Sequence, residues 1–460
     1  MQSRTTRTIE ICLALTVGVV LADSSIVTLA LPSVLRDYEA TVFGVSWVLT
    51  AFNIVLALLI LPAVRIARNH PRSGWTIGLA IFVGASVACA ASGSLGALIA
   101  ARVVQAGGGA LVVACAIESL ARVRGSHELA APTWGAAATI GVAVGPALGG
   151  VLTQVLEWQS IFYLQIPLLL VIPAATMARP APPEPGPSAH FDLRPEVGLA
   201  LLSAGLTGAL FLLVVLLTEG WGMSPIAAAA TVSAIPVAAF AARWLARRAG
   251  PPASAALAGG IAITGGLAAL GVLPGASWAL TLQPQLLIGV GLALALPVLT
   301  IAAIGGHDPE GSRAAATIAA RHAGIVVGIL ILAPLLSAQL TAQQEAATDS
   351  TTALLLDAPL PAETKVDLAT ALGDQIDAAD GRLPEIGPAF ESVTPASGDE
   401  AALATLQGDI EDQLERAATS AFKWPFLAAA ALAALALIPI ARLGTAAQKG
   451  ARWASAPEPH

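Results

Sequence analysis

Apolar stretches of about twenty residues recur along nearly the whole of this chain, and that recurrence restricts the fold more than any other feature. A helix needs roughly 20 residues to cross a hydrocarbon core about 30 Å thick. Backbone polar groups in lipid must be satisfied within helices or closed barrels, and these runs lack the period-two alternation of barrel strands. They therefore read as membrane-spanning helices. Composition points the same way: 56% of the 460 residues are hydrophobic and 12% are charged, whereas soluble domains carry roughly 25% charged residues. Mean hydropathy is +0.77. The expected class is an all-α polytopic membrane protein, with no nucleic-acid partner.

Spans are placed near 9–33, 43–65, 74–92, 96–120, 130–155, 160–178, 196–217, 224–246, 253–273, 278–303, 313–341 and 421–442. The N-terminal basic residues Arg4 and Arg7 precede an apolar run that continues through Asp23 to Leu35 with no clear cleavage site, so the first run is expected to be a retained span. An even number of spans puts both termini on one side. That side collects Arg65, Arg68, Arg72, Arg122, Arg124, Arg179, Arg194, Arg243, Arg247, Arg248, Arg313 and Arg442, while the other holds Arg36, Lys365, Arg382, Arg416 and Lys423. The positive-inside rule makes the arginine-rich side cytoplasmic. Trp47, Trp158, Trp221, Trp278 and Trp424 fall near the outer ends, as an interfacial aromatic belt would place them.

Two segments break the rhythm. Pro180 to His190 is too rich in proline for a helix and divides the spans six and six. Residues 342–420 hold 16 acidic and three basic residues. Within them Leu403, Leu406, Ile410 and Leu414, and likewise Leu368, Leu372 and Ile376, follow helical spacing, so a part-helical acidic cap is expected outside the membrane. The domain plan is a six-helix bundle (1–178), a cytoplasmic linker (179–195), spans seven to eleven (196–341), the acidic insertion (342–420), span twelve (421–443) and a cytoplasmic tail (444–460).

Several polar residues lie inside the spans. Asp23 is about fifteen residues into the first, where insertion scales charge about 2.5–3.5 kcal/mol for an acid. It should face a cavity, where it can take up and release a proton; the alternative is a neutral, hydrogen-bonded Asp that only fixes helix packing. Arg102 in the fourth span either snorkels to the outer interface or faces the cavity, hydrogen-bonded to a Gln or a carbonyl. Gln105 follows one turn later, ahead of Gly107, Gly108 and Gly109. In the fifth span Gly141, Gly145, Gly149 and Gly150 make a smooth face interrupted by Pro146, which removes a donor and kinks the helix. Arg321 and His322 lie eight or nine residues inside the eleventh span, and Arg321 needs a partner or a water-filled cavity there. His322 can titrate near neutral pH or serve as a neutral polar contact. Asn53 in the second span is a polar contact or a cavity residue. Glu10 and Glu118 sit close to the cytoplasmic ends, where interfacial solvation is expected. Cys12, Cys89 and Cys115 lie in apolar stretches without metal spacing, and read as small packing residues.

Together these motifs resemble the drug:proton antiporter branch of the major facilitator superfamily. Asp23 to Pro32 looks like the first-helix motif, Trp47 to Ala51 like the opening of the second, and Arg102 with Gln105 like the fourth-helix motif, whose Arg is implicated in proton transfer. Gly141 to Gly150 matches the fifth-helix antiporter motif at each glycine and at the proline. Trp158, Ile161 to Tyr163 and Pro167 are similar to the opening of the sixth helix. Phe191-Asp192 and Arg321 are similar to the start of the seventh helix and to the Arg of the penultimate one. The loop after the second span departs from the family pattern: Arg68 and Arg72 survive, but Ala63, Ala67 and His70 replace two glycines and an aspartate. In the family that aspartate helps latch the two halves.

The resemblance implies two six-helix bundles rocking about a midplane cavity, and a secondary active exporter in the bacterial cytoplasmic membrane. A proton gradient would drive expulsion of a small amphipathic compound, with no cofactor. Asp23 and Arg102 would couple the proton, and Asn53, Gln105, Arg321 and His322 would line the substrate cavity. Arg68 and Arg72 would belong to the gating loop, and 342–420 could receive an extracytoplasmic partner. The rival readings are a lipid or glycolipid exporter of the same fold, and a non-transporting receptor or scaffold whose working part is the acidic loop. No nucleophile–base set or metal cluster suggests an enzyme.

Overall fold

A computed structural model describes residues 4–171, 192–246, 248, 250–304, 311–379, 386–393 and 400–443. The Pro180–His190 stretch, Phe191 and the 444–460 tail lie outside the described residues. The first half contains α1 (Arg4–Asp37), α2 (Val42–Asn69), α3 (Pro71–Ala90), α4 (Leu95–Arg124), α5 (His127–Val155) and the short α6 (Ser160–Tyr163), which continues as a 3-10 turn over Ile166–Val171. The second half contains α7 (Arg194–Val215), α8 (Pro225–Val232), α9 (Ala234–Ala241), α10 (Arg243–Ala246), α11 (Pro252–Gly271), α12 (Trp278–Ile304), α13 (Ser312–Asp357) and α17 (Lys423–Ala441). Between α13 and α17 lie α14 (Ala362–Ala379), α15 (Gly387–Ser392) and α16 (Glu400–Ala421).

Among the described residues eleven helices are long and apolar enough to cross a membrane. The sixth predicted span, 160–178, is described only as far as Val171, as the short apolar Ser160–Val171 segment. Helix ends follow local chemistry. Thr41, Ser94 and Ser126 each turn a side-chain oxygen to a backbone N–H in the first turn of α2, α4 and α5, satisfying a donor that the helix cannot. Gly125 ends α4 at φ +90°, a conformation glycine adopts without steric cost. The eighth predicted span is three short helices, α8 to α10, in one apolar line.

The insertion is more regular than its sequence predicts. α13 runs unbroken for 46 residues, a rise of about 69 Å, so it projects well beyond a hydrocarbon core of about 30 Å. Its tail packs with α14, α15 and α16 around a separate core of Leu355, Leu360, Leu368, Leu372, Ile386, Phe390, Leu406 and Ile410. Leu403 and Leu414 lie partly buried against it, while the side chain of Ile376 lies outside the described residues.

The halves touch at three levels. At the insertion end, α5 meets α8: a Cβ on Gly150 would stand 2.7 Å from the Pro225 carbonyl oxygen and would also meet the Ala229 methyl. There too Arg36, near the end of α1, reaches Glu219 beyond α7 at 2.7 Å. Midway, α2 meets α13 through Asn53 and His322. At the opposite end, Ala314, Ala315 and Ile318 of α13 share one apolar cluster with Ile60, Ala63 and Ala67 of α2.

The glycine face of α5 turns inward onto α1. A side chain on Gly141, Gly145 or Gly149 would strike the Gly18 carbonyl, the Ser25 hydroxyl or the Ile26 carbonyl respectively. Only hydrogen fits between the two backbones.

Two expectations are corrected. Trp158 is buried, not interfacial: its indole Nε1–H donates to Asp37 Oδ2 at 2.5 Å and its ring packs edge-on against Tyr38 and Phe162. Trp278 and Trp424 are exposed, as a belt requires. Glu10 and Glu118 are buried as well, because each has a cation to pair with: Arg124 at 2.9 Å, and Arg122 at 2.8 Å together with His127 at 3.0 Å.

Candidate functional site

Asp23 and Arg102 sit at the centre of the first half, and both are fully buried. Arg102 lies on α4 one helical turn before Gln105, so the two side chains leave the helix on one face. Its Nη1 donates to Asp23 Oδ2 at 2.5 Å and to Gln105 Oε1 at 2.6 Å, and its Nε donates to the Val48 carbonyl of α2 at 3.2 Å. The guanidinium also stacks on Phe52, 4.1 Å from the ring centre, with Phe162 at 5.8 Å on another side. Of the two alternatives for Arg102, the structure takes the inward one. Its Nη2 is buried with no hydrogen-bond partner among the described residues.

The second oxygen of Asp23 accepts from Gln165 Nε2 at 2.7 Å. Gln165 and Ser86 complete the network: Gln105 Nε2 donates to Ser86 Oγ at 2.7 Å and to Gln165 Oε1 at 2.8 Å, and the Ser86 hydroxyl is also bonded to Gln165 Oε1. Five side chains from α1, α3, α4 and the segment after α6 are thus linked without solvent. Both oxygens of Asp23 accept, which is the bonding of an ionised carboxylate.

The sequence picks out Asp23, Arg102 and Gln105 but not Gln165 or Ser86. Gln165 did carry a signal, as a polar residue amid the apolar Ile161 to Leu170 stretch.

A second polar line crosses between the halves. Asn53 Nδ2 donates to the Leu49 carbonyl at 2.7 Å, which turns Oδ1 toward His322 Nδ1, 2.5 Å away on α13. The amide also lies against the Ser24 hydroxyl at 3.3 Å, on the residue next to Asp23. Asn53 and His322 therefore make a polar contact between the bundles, with Arg321 the residue before His322 on α13.

The remaining predicted residues lie elsewhere. Gly141, Gly145 and Gly149 pack α5 on α1, Gly150 faces the other half, and Pro146 sits inside the same helix. Arg68 and Arg72 flank the short junction between α2 and α3, where the Arg68 carbonyl accepts from Arg122 Nη2 at 2.6 Å. Near this junction a small cavity is lined by Ala67, Glu118, His127, Gly311 and Ala315 among others. Ala67 offers no carboxylate there; Glu118 of the neighbouring helix supplies one instead.

A helical membrane protein of two bundles, with a buried acid–arginine pair in one and polar contacts across the seam, has the architecture of a transporter. The chain belongs to the Major Facilitator Superfamily, whose family model matches residues 13–333. That match ends before the insertion and the last span.

Among curated proteins, it is 32% identical over 222 residues to the tetracenomycin C resistance and export protein of Streptomyces glaucescens, covering 46% of this chain and 40% of that one. It is 34% identical over 217 residues to the cephamycin export protein CmcT of Amycolatopsis lactamdurans, covering 45% and 43%. It is 34% identical over 153 residues to the multidrug resistance protein Stp of Mycobacterium tuberculosis (strain CDC 1551 / Oshkosh), covering 32% and 28%. The chain thus spans less than half the length of each of these relatives. Its fold is similar to the crystal structure of a bacterial homologue of the human lysosomal transporter Spinster, with a TM-score of 0.64 at 15% identity over 96% of this chain and 98% of that one.

Proposed function

We propose that this protein is a proton-coupled exporter of small amphipathic compounds, working by alternating access. The observation that carries the reading is the Asp23–Arg102 pair, an ion pair with no solvent contact in the middle of a membrane helix bundle. Buried pairs of this kind are weak sources of stability, because desolvation offsets much of their attraction. A packing role alone would be met at lower cost by neutral residues, whereas a role in proton transfer requires the charges. Proton binding to Asp23 would loosen the network of Arg102, Gln105 and Gln165. The line from Ser24 through Asn53 to His322 would carry that change to the other half.

The arginine-rich ends of the helices support an orientation with both termini cytoplasmic, in a bacterial membrane, and the insertion outside. Proton entry from outside would then drive export. The names of the relatives, which speak of resistance and export, support the direction of transport.

Everted membrane vesicles test this. With a respiratory pH gradient followed by a pH-sensitive dye, amphipathic compounds that are cargo should collapse part of the gradient in vesicles containing the protein and not in those lacking it. Cargo movement that continues unchanged after an ionophore has removed the gradient would rule out proton coupling.

A further inference from the structure

Arg321 is a membrane-embedded cation whose surroundings differ sharply from those of Arg102. Along α13 one face is open, with Val327, Leu330 and Ile331 exposed. The opposite stripe, Ala314, Ile318, Ile325, Ile329 and Leu332, is buried. Arg321 falls in the buried stripe, at three residues beyond Ile318 and four before Ile325, so it points away from the lipid-facing side. Yet it keeps part of its surface open. Its side chain is thus neither lipid-facing nor fully enclosed.

Among the described residues Arg321 has no hydrogen bond and no ion pair, whereas Arg102 has donors placed on Asp23, Gln105 and Val48. Its neighbour adds a complementary group. Asn53 Oδ1 is an acceptor, because Nδ2 is committed to the Leu49 carbonyl, so His322 must carry its proton on Nδ1. In the neutral ring that leaves Nε2 as an acceptor, with no partner among the described residues. Adjacent positions thus offer a fork of N–H donors and a single lone pair.

We infer that Arg321 receives the acidic group, a carboxylate or sulfonate, of an amphipathic organic anion, and that His322 Nε2 takes a hydroxyl or N–H donor on the same molecule. This rests on the reading of the site as a transport cavity and narrows its substrate class. A guanidinium in a low-dielectric interior gains most from a planar anion it can meet with two parallel hydrogen bonds. A neutral or cationic cargo leaves it unpaired.

Two dyes with one skeleton test this: 8-anilinonaphthalene-1-sulfonate and N-phenyl-1-naphthylamine, which lacks the sulfonate. Equilibrium binding is measured by fluorescence on the full chain in nanodiscs, with empty nanodiscs subtracted and no pH gradient present. The natural protein should bind the sulfonate about tenfold or more tightly than the neutral dye, the scale of a hydrogen bond to a charged group. Arg321→Gln should bring the two affinities together. Arg321→Lys, which keeps the charge and loses the fork, should weaken sulfonate binding severalfold and leave the neutral dye unchanged, and it serves if the Gln variant does not fold.

Equal binding of the two dyes by the natural protein, no binding of either, or an unaltered preference in both variants overturns the inference. Because binding is read without a gradient, failure of proton-coupled export would leave this result untouched, and the reverse also holds.

Discussion

Arg102 holds Asp23 at 2.5 Å with neither side chain exposed to solvent. Truncating one partner of such a pair leaves an uncompensated buried charge, at a cost of about 3–5 kcal/mol. Asp23→Asn keeps an oxygen to accept from Arg102 but leaves that charge uncompensated and sets an NH2 against Gln165 Nε2, so it should lose some stability, still reach the membrane, and lose proton-driven transport. Asp23→Ala should be clearly less stable, and Asp23→Ala with Arg102→Gln should recover much of the loss. Thermal unfolding of the three variants, with transport under an imposed pH difference, checks both parts. A gradient-driven Asn variant would remove Asp23 from the proton pathway.

Gly145 and Gly150 are five residues apart on α5 and should fail differently. A side chain on Gly145 meets Ser25 inside the first bundle, so Gly145→Leu should cost about one to three kcal/mol or more and lower the yield of folded protein. Gly150 meets Pro225 and Ala229 of the other half. Gly150→Ala should therefore leave each bundle intact and oppose closure at the insertion end. Spin-label distances across α5 and α8 should lengthen in the Ala variant. Unchanged distances would mean that this contact does not govern the opening.

Arg36 and Glu219 join the halves at the insertion end with side chains 45% and 17% exposed. A pair that open to water contributes about 0–1 kcal/mol and weakens with salt. Glu219→Gln should shift the balance between closed and open forms by no more than about fivefold. High ionic strength should mimic the substitution in the natural protein and have little further effect in the variant, as followed by labelling of a cysteine placed at this seam.

The insertion has its own core and a tether to the membrane part, since the Trp221 indole donates to Thr419 Oγ1 at 3.0 Å. Amides around Leu406 and Ile410 should therefore be protected in hydrogen exchange on the whole protein. Complete exchange within seconds across α16 would contradict the core. Trp221→Phe, which removes the donor, should speed exchange around Thr419 more than around Leu406.

The sequence by itself determined eleven of the apolar helices, their order and the acidic, part-helical insertion. These follow from run length, charge and helical spacing, which are properties of neighbours along the chain. The same logic made Asp23, Arg102 and Arg321 stand out, because a charge inside a span is costly whatever lies beside it. Only the tertiary structure decided their partners. Arg102 could have snorkelled until Asp23, Val48 and Phe52 were brought around it from two other helices. Gln165 and Ser86 read as ordinary polar residues until folding brought them, from 60 and 19 positions away in the chain, onto the same Gln105. Glu118 and Glu10 look solvated at helix ends, and are buried because cations on the chain meet them there. The glycines of α5 announce close packing in one dimension, but that three face α1 while Gly150 faces α8 depends on how helices are laid side by side. Helix formation is a local balance of backbone hydrogen bonding and lipid exposure. A partner across a bundle depends on contacts between distant segments, which no single stretch of sequence contains.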